Sequence, residues 1–250
     1  IMGSSVIDER YKPEKYTITE FLNSRLKEDD FDTVFVNAGI EGQSSAGIVA
    51  SFEKWLFKLE NFSPDYILFY IGSNDSRHHT LKISDNNAGH LLNPEKKDIF
   101  YDNIKSRSII YDSIRKIKFR HFPRKGFVKQ DGKIGKDYKS NYNYINYNTL
   151  IEKHTLNPTT IKNNKQISFY LKRIDKLNEY SKRLKSTPIF ITNIGSNGYD
   201  INLYRYNQSL INHCIIRKYK CIDLAKKIKP NIEYWYDDQH TTKKGSSVIA

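Results

Sequence analysis

A serine, a histidine and a carboxylate can together cleave an ester. The serine hydroxyl is a poor nucleophile until a base takes its proton, and the base works only when something holds its imidazole in the right tautomer. This chain carries the parts of such a set at its two ends: Gly3-Ser4-Ser5 near the start and Asp237-Asp238-Gln239-His240 near the finish. Asp237 lies three residues before His240, so its carboxylate can fold back along one turn and accept the second ring N–H. On this reading Ser5 attacks, His240 is the general base and Asp237 is the orienting acid. Attack on an ester also leaves a negative oxygen, which needs donors already in place.

Residues this far apart in sequence meet only if the fold brings them to one edge. Four apolar runs lack the alternation of a half-exposed strand: Val34 to Val36, Tyr66 to Ile71, Ile189 to Thr192 and Cys221 to Leu224. Ile1 and Met2 read as the last residues of a further, truncated first strand, as in an excerpt from a longer chain. Segments of helical period lie between the runs, one carrying Ile48, Val49, Phe52, Leu56 and Leu59, another Ile167, Leu171, Ile174, Leu177 and Leu184. Thr17 and Glu20 are spaced as a capping box, and Ser44 or Ser45 is placed to cap a helix running to about Glu60. Alternating strands and helices predict a doubly wound α/β sandwich over a central parallel sheet.

Ligands of open α/β sheets bind beyond the carboxyl ends of the strands. The residues there are Gly3-Ser4-Ser5, then Asn37-Ala38-Gly39-Ile40-Glu41-Gly42-Gln43-Ser44-Ser45, then Gly72-Ser73-Asn74-Asp75, and finally Asp237 to His240. His240 is the only histidine in the matching position. These four blocks, in this order, resemble the SGNH (GDSL) hydrolases over nearly the whole chain outside residues 77–165. The resemblance implies a flavodoxin-like three-layer sandwich and one domain over residues 1–250. It also implies an oxyanion hole made by the backbone N–H groups of Ser5 and Gly42 and the side-chain amide of Asn74. Two departures stand out: Ser4 replaces the acid of the usual Gly-Asp-Ser, and Gln43 stands where Asp is common. Alignment of the first block puts Ser5 in the nucleophile position.

The implied activity is ester hydrolysis through an acyl-Ser5 intermediate, with no metal or organic cofactor. Members with the Asn-Ala-Gly-x-x-Gly form of the second block are often linked to acetyl esters, which favours a short acyl group on a carbohydrate or small molecule. An O-acyl transferase would use the same triad. A different class, a non-catalytic module for an acidic polymer, draws on the net charge of +13 and on the stretch from Arg115 to Lys139, which has ten Lys or Arg against Asp131 and Asp137. No nucleic-acid motif supports it. The stretch lies in an elaboration at about 77–165 that leaves the sheet beside Asn74, so the expected substrate carries negative charge.

Blander roles stand beside these. Gly42 can serve a positive φ, Asn74 can close a turn, and His240 can precede a helix starting at Thr241 or Thr242. His78 and His79 are adjacent and cannot chelate as an i, i+4 pair does; Tyr234, Trp235 and Tyr236 suit core packing or an aromatic wall. Cys214 and Cys221 read as two buried small hydrophobes. No stretch of about 18 apolar residues offers a membrane span. No targeting segment is visible; the compartment stays open, with the cytoplasm favoured over export.

Overall fold

The computed structural model describes residues 1–77, 164–195, 201–229, 231–235, 237 and 239–250. His78 and His79, the basic stretch, Asp238 and Tyr236 lie outside these. Five strands form one sheet: β1 (Met2–Gly3), β2 (Ala38–Gly39), β3 (Tyr66–Ile71), β4 (Thr187–Thr192) and β5 (Lys220–Ile222). All pairings are parallel and the order is β2-β1-β3-β4-β5, the flavodoxin-like winding. The longest pairing runs from Tyr66 opposite Thr187 to Ile71 opposite Thr192.

Successive side chains of a strand point to opposite faces, and both faces here are covered. Ile67, Phe69, Ile71 and Phe190 enter one core with Phe52 of α3 (Ser45–Lys54), with Ile167, Ile174 and Leu177 of α5 (Lys165–Arg183), and with Leu210 of α6 (Ile201–Arg217). Tyr70 turns the other way and packs with Val6 and Ile7 of α1 (Ser5–Asp8) and Ile18 of α2 (Ile18–Glu28). Each such large apolar side chain removed from water contributes about 1.5–3 kcal/mol. The remaining helices among the described residues are α4 (Ser73–Arg77), α7 (Leu224–Lys227) and α8 (Lys243–Ile249).

Several expectations need correction. The apolar Val34 to Val36 run lies outside β2, which is confined to Ala38–Gly39; Val34 and Val36 are exposed at the sheet edge, although Val36 O accepts a bond from the Ile1 amine. The α3 helix stops at Lys54 rather than near Glu60, giving way to a 3₁₀ turn over Leu56–Lys58. The run at Cys221 to Leu224 splits, because Asp223 accepts from Lys226 N and starts α7 at Leu224. Cys214 and Cys221 are joined as a disulfide, their Cα atoms 6.3 Å apart, rather than being two thiols. The tight return after α6, with Lys218 at φ 58° and Tyr219 N donating to Cys214 O, brings the pair together. Among the described residues, no helix is long and apolar enough to cross a membrane.

Candidate active site

Ser5 owes its place to the tightness of the first turn. Strand β1 ends at Gly3, Ser4 caps α1 by accepting from Val6 N at 3.5 Å, and Ser5 opens the helix at the carboxyl edge of the sheet. Gly39 lets α1 lie directly on the end of β2: a Cβ there would stand 2.3 Å from Asp8 N. Asn37 fastens the same junction by donating to Ile7 O at 2.6 Å and accepting from Gly39 N at 2.9 Å. Ser4 is buried, while Ser5 remains partly accessible.

The other end of the chain supplies a closed loop. Trp235 and Thr241 form an antiparallel bridge, and Thr242 N donates to Tyr234 O at 2.9 Å, so the loop's two ends are pinned together and Asp237 and His240 lie between them. Asp237 Oδ1 accepts from the backbone N–H groups of Gln239 (2.8 Å) and His240 (2.7 Å), which leaves Oδ2 facing His240 Nδ1 at 2.5 Å. His240 Nε2 stands 2.9 Å from Ser5 Oγ. Burial would raise the Asp237 carboxyl, but the hydrogen bond and charge of His240 and the two backbone donors outweigh it and hold the group below its ordinary value. Thr242 is the N-cap of α8, so His240 lies two residues before the cap.

Gly42 occupies the third position of a turn closed by Gln43 N donating to Ile40 O at 3.1 Å. Its φ of +73° is the left-handed value that favours glycine at this position, and among the described residues no heavy atom beyond its chain neighbours lies within 4 Å of where a Cβ would be. The turn is steadied from α1, since Asp8 Oδ2 accepts from Glu41 N at 2.8 Å. Asn74, buried in α4, donates through Nδ2 to Gln43 O at 3.0 Å. Gln43 reaches away from the site to Ser51 Oγ at 2.8 Å. Ser44 takes the N-cap position of α3, as one of the two expected serines, but its side chain makes no capping bond; Asp75 accepts from Ser45 N at 3.1 Å instead. Ser73 Oγ donates to Gln239 Oε1 at 3.2 Å and ties α4 to the histidine loop.

Sequence reasoning missed the residues behind this arrangement. Asp8, and Tyr11, whose ring stands 5.1 Å from the His240 imidazole, carry no motif. Glu9 and Lys12 are buried, which no local signal announces in so charged a segment. A cavity of about 570 Å³ beside α1 and β2 is lined by Asp8, Arg10, Asn23 and Asn37, among others, but not by Ser5, Asn74, Asp237 or His240. Trp235 is fully buried, as core packing requires. Among the described residues, no group of three or more His, Cys, Asp or Glu could hold a metal ion.

No family model matches the chain, and no curated protein matches it by sequence. Solved structures do. A member of the lipolytic protein G-D-S-L family from Veillonella parvula superposes with a TM-score of 0.52 at 13% identity, over 100% of this chain and 91% of that one. The acetyl xylan esterase AlAXEase gives 0.53 at 12% identity, over 100% and 96%. TesA gives 0.54 at 10% identity, over 99% and 91%. Together with the all-parallel β2-β1-β3-β4-β5 sheet, these establish that the chain has the SGNH hydrolase fold.

Proposed function

We infer that the protein is a serine esterase in which Ser5 is the nucleophile, His240 the general base and Asp237 the group that orients it. The observation that carries this reading is the unbroken line from Asp237 Oδ2 through His240 to Ser5 Oγ, with steps of 2.5 and 2.9 Å. As Ser5 Oγ attacks the ester carbonyl, its proton passes to His240 Nε2, and the ring N–H at Nδ1 stays bonded to Asp237. The same proton then goes to the departing alkoxide. Water, deprotonated by the same imidazole, attacks the acyl-Ser5 carbonyl, and its proton returns to Ser5 Oγ as the acid leaves.

The developing oxyanion is met by the backbone N–H groups of Ser5 and Gly42 and by Asn74. One proton of the Asn74 amide is held by Gln43 O, which fixes the amide so that its second proton serves the oxyanion. None of the described residues crowds Gly42, which supports approach of the carbonyl to its backbone. The substrate we favour is a short acyl ester, acetyl above all, on a carbohydrate. The Asn37-Ala38-Gly39-Ile40-Glu41-Gly42 block and the acetyl xylan esterases among the fold's relatives support it. The basic stretch from Arg115 to Lys139 supports an anionic sugar. The test is a serine-reactive phosphonate followed by peptide mass mapping. Labelling of Ser5 that Ser5→Ala and His240→Ala abolish is expected; labelling elsewhere, or none in folded protein, sinks the reading.

A further inference from the structure

One cluster near the site takes no part in the chemistry above. Glu9 and Lys12 are both buried, on the segment that follows Ser5. Glu9 Oε1 lies 2.5 Å from Lys12 Nζ and accepts from Thr241 Oγ1 at 2.9 Å and Ser246 Oγ at 2.7 Å, while Oε2 accepts from Ile18 N at 2.5 Å. Lys12 Nζ donates to Thr241 O at 3.2 Å, to Thr241 Oγ1 at 3.0 Å and to Ser246 Oγ. Thr241, which follows His240 directly, is fully buried and gives its N–H to Tyr11 Oη at 3.2 Å.

Stability does not explain this cluster. A buried ion pair loses hydration on both charges and is often matched or bettered by apolar residues of similar volume. Glu9 also stands at φ 47°, a conformation that costs a side-chain-bearing residue and suits glycine. Two unfavourable choices therefore coincide at the residue four places after Ser5. What the cluster supplies is direction: apart from the Glu9–Lys12 pair itself, the bonds these two side chains make join the segment bearing Ser5 to the residue after His240, to α2 or to α8. We propose that Glu9 and Lys12, acting through Thr241, are positioning residues that set the His240 imidazole against Ser5 Oγ, so that they govern turnover without touching substrate. The proposal rests on Ser5 being the nucleophile.

The test uses the full chain and two kinds of change. Glu9→Gly/Lys12→Met removes both charges at once, leaves neither buried alone and gives the positive φ to glycine. Thr241→Val removes only the hydroxyl at constant shape, and Thr241→Ser restores it. Displacing an imidazole by about 1 Å can cost on the order of a hundredfold, so the double variant is expected to lose about that in kcat on a neutral acetyl ester. For Thr241→Val the expected loss is about tenfold. KM should stay within about twofold in both, and Thr241→Ser should recover most of the rate. Circular dichroism and thermal midpoints report the fold; if the double variant does not fold, the Thr241 pair decides alone. Folded variants that keep the parent kcat overturn the proposal. Phosphonate labelling of the parent tests the nucleophile separately. If the parent proves inert, crystal structures of Thr241→Val decide instead: an imidazole displaced from Ser5 upholds the positioning role, and one still within hydrogen-bond distance overturns it.

Discussion

Two buried regions of this protein are built on opposite principles. Between the sheet and helices α3, α5 and α6, the interior is aromatic and aliphatic: Phe69 and Phe190 stack with ring centroids 5.2 Å apart, and Phe52 packs against Phe57 and Tyr180 at 5.6 Å. Beside α1 and α8, next to the smaller apolar cluster of Val6 and Ile7, lies a buried polar group of Glu9, Lys12, Thr241 and Ser246. Apolar contact depends on filled volume and tolerates shape-preserving exchange, whereas each hydrogen bond demands its own distance and angle. The first region makes the sheet stand; the second specifies where one end of the chain stands relative to the other. The proposed mechanism, which needs residues 5 and 240 within hydrogen-bond reach, calls on both.

The contrast can be broken by single changes. Ser5→Ala should lower ester hydrolysis at least about a thousandfold with the thermal midpoint nearly unchanged, while Ser4→Ala keeps a substantial fraction of the rate. Equal losses in two folded variants would undo the distinction between the buried cap and the partly accessible hydroxyl. Phe190→Ala should do the reverse, costing about 3–5 kcal/mol in denaturant unfolding while the folded fraction keeps its kcat. A folded Phe190→Ala protein without turnover would mean that the apolar layer also aligns the site. Asn74→Ala should reduce kcat by about a hundredfold or more with KM little changed if, as proposed, its amide serves the transition state. A raised KM at constant kcat would make Asn74 a binding residue.

The same contrast explains what could be read in advance. Strand β3 was legible to the residue, because a six-residue apolar run without alternation, buried on both faces from Phe69 to Ile71, suits a covered parallel strand. Strand β2 was not. Its bonding residues are Ala38 and Gly39, whereas the β-branched Val34 and Val36 that drew attention are exposed. The blocks around Ser5, Gly42 and Asn74 were visible because each lies at the end of a strand and uses few residue types; the His240 block was visible by its Asp-x-x-His spacing alone, since α7 and a 3₁₀ turn at Ile232–Tyr234 separate it from β5. Their supports were hidden. Glu9 pairs with Lys12 locally, but both meet Thr241 and Ser246 more than two hundred positions away, and nothing in a run of charged residues distinguishes a buried pair from a solvated one. The capping of α3 by Asp75 was hidden for the same reason, since two serines beside the helix start offered a nearer and simpler answer.

The smallest expected effect compares two carboxylates held below their ordinary value for different reasons. Asp237 is held down chiefly by His240 and two backbone N–H groups against an opposing burial effect, whereas Glu53 is lowered first by its hydrogen bond from Lys176 and then by that from Tyr180. A carboxyl lowered on folding stabilises the folded state above its unfolded value, and that contribution disappears as pH falls through the folded value. Both groups should therefore steepen the fall in thermal midpoint below about pH 4. The Glu53–Lys176 pair is exposed on both sides, with 44% and 45% of the side chains accessible, so its share should fade in salt. The Asp237 share rests first on the part-buried hydrogen bond and charge of His240 and then on two backbone donors in a loop fixed by the Trp235–Thr241 bridge, so it should largely persist. Thermal melts from pH 7 to pH 3 at low and high ionic strength separate the two. Asp237→Asn should flatten the acid limb in both salts, and Glu53→Gln only in low salt. If salt erased the Asp237 effect as well, the loop would be held by bare charge attraction rather than by directed bonds, and the polar region would lose its distinction from an ordinary surface.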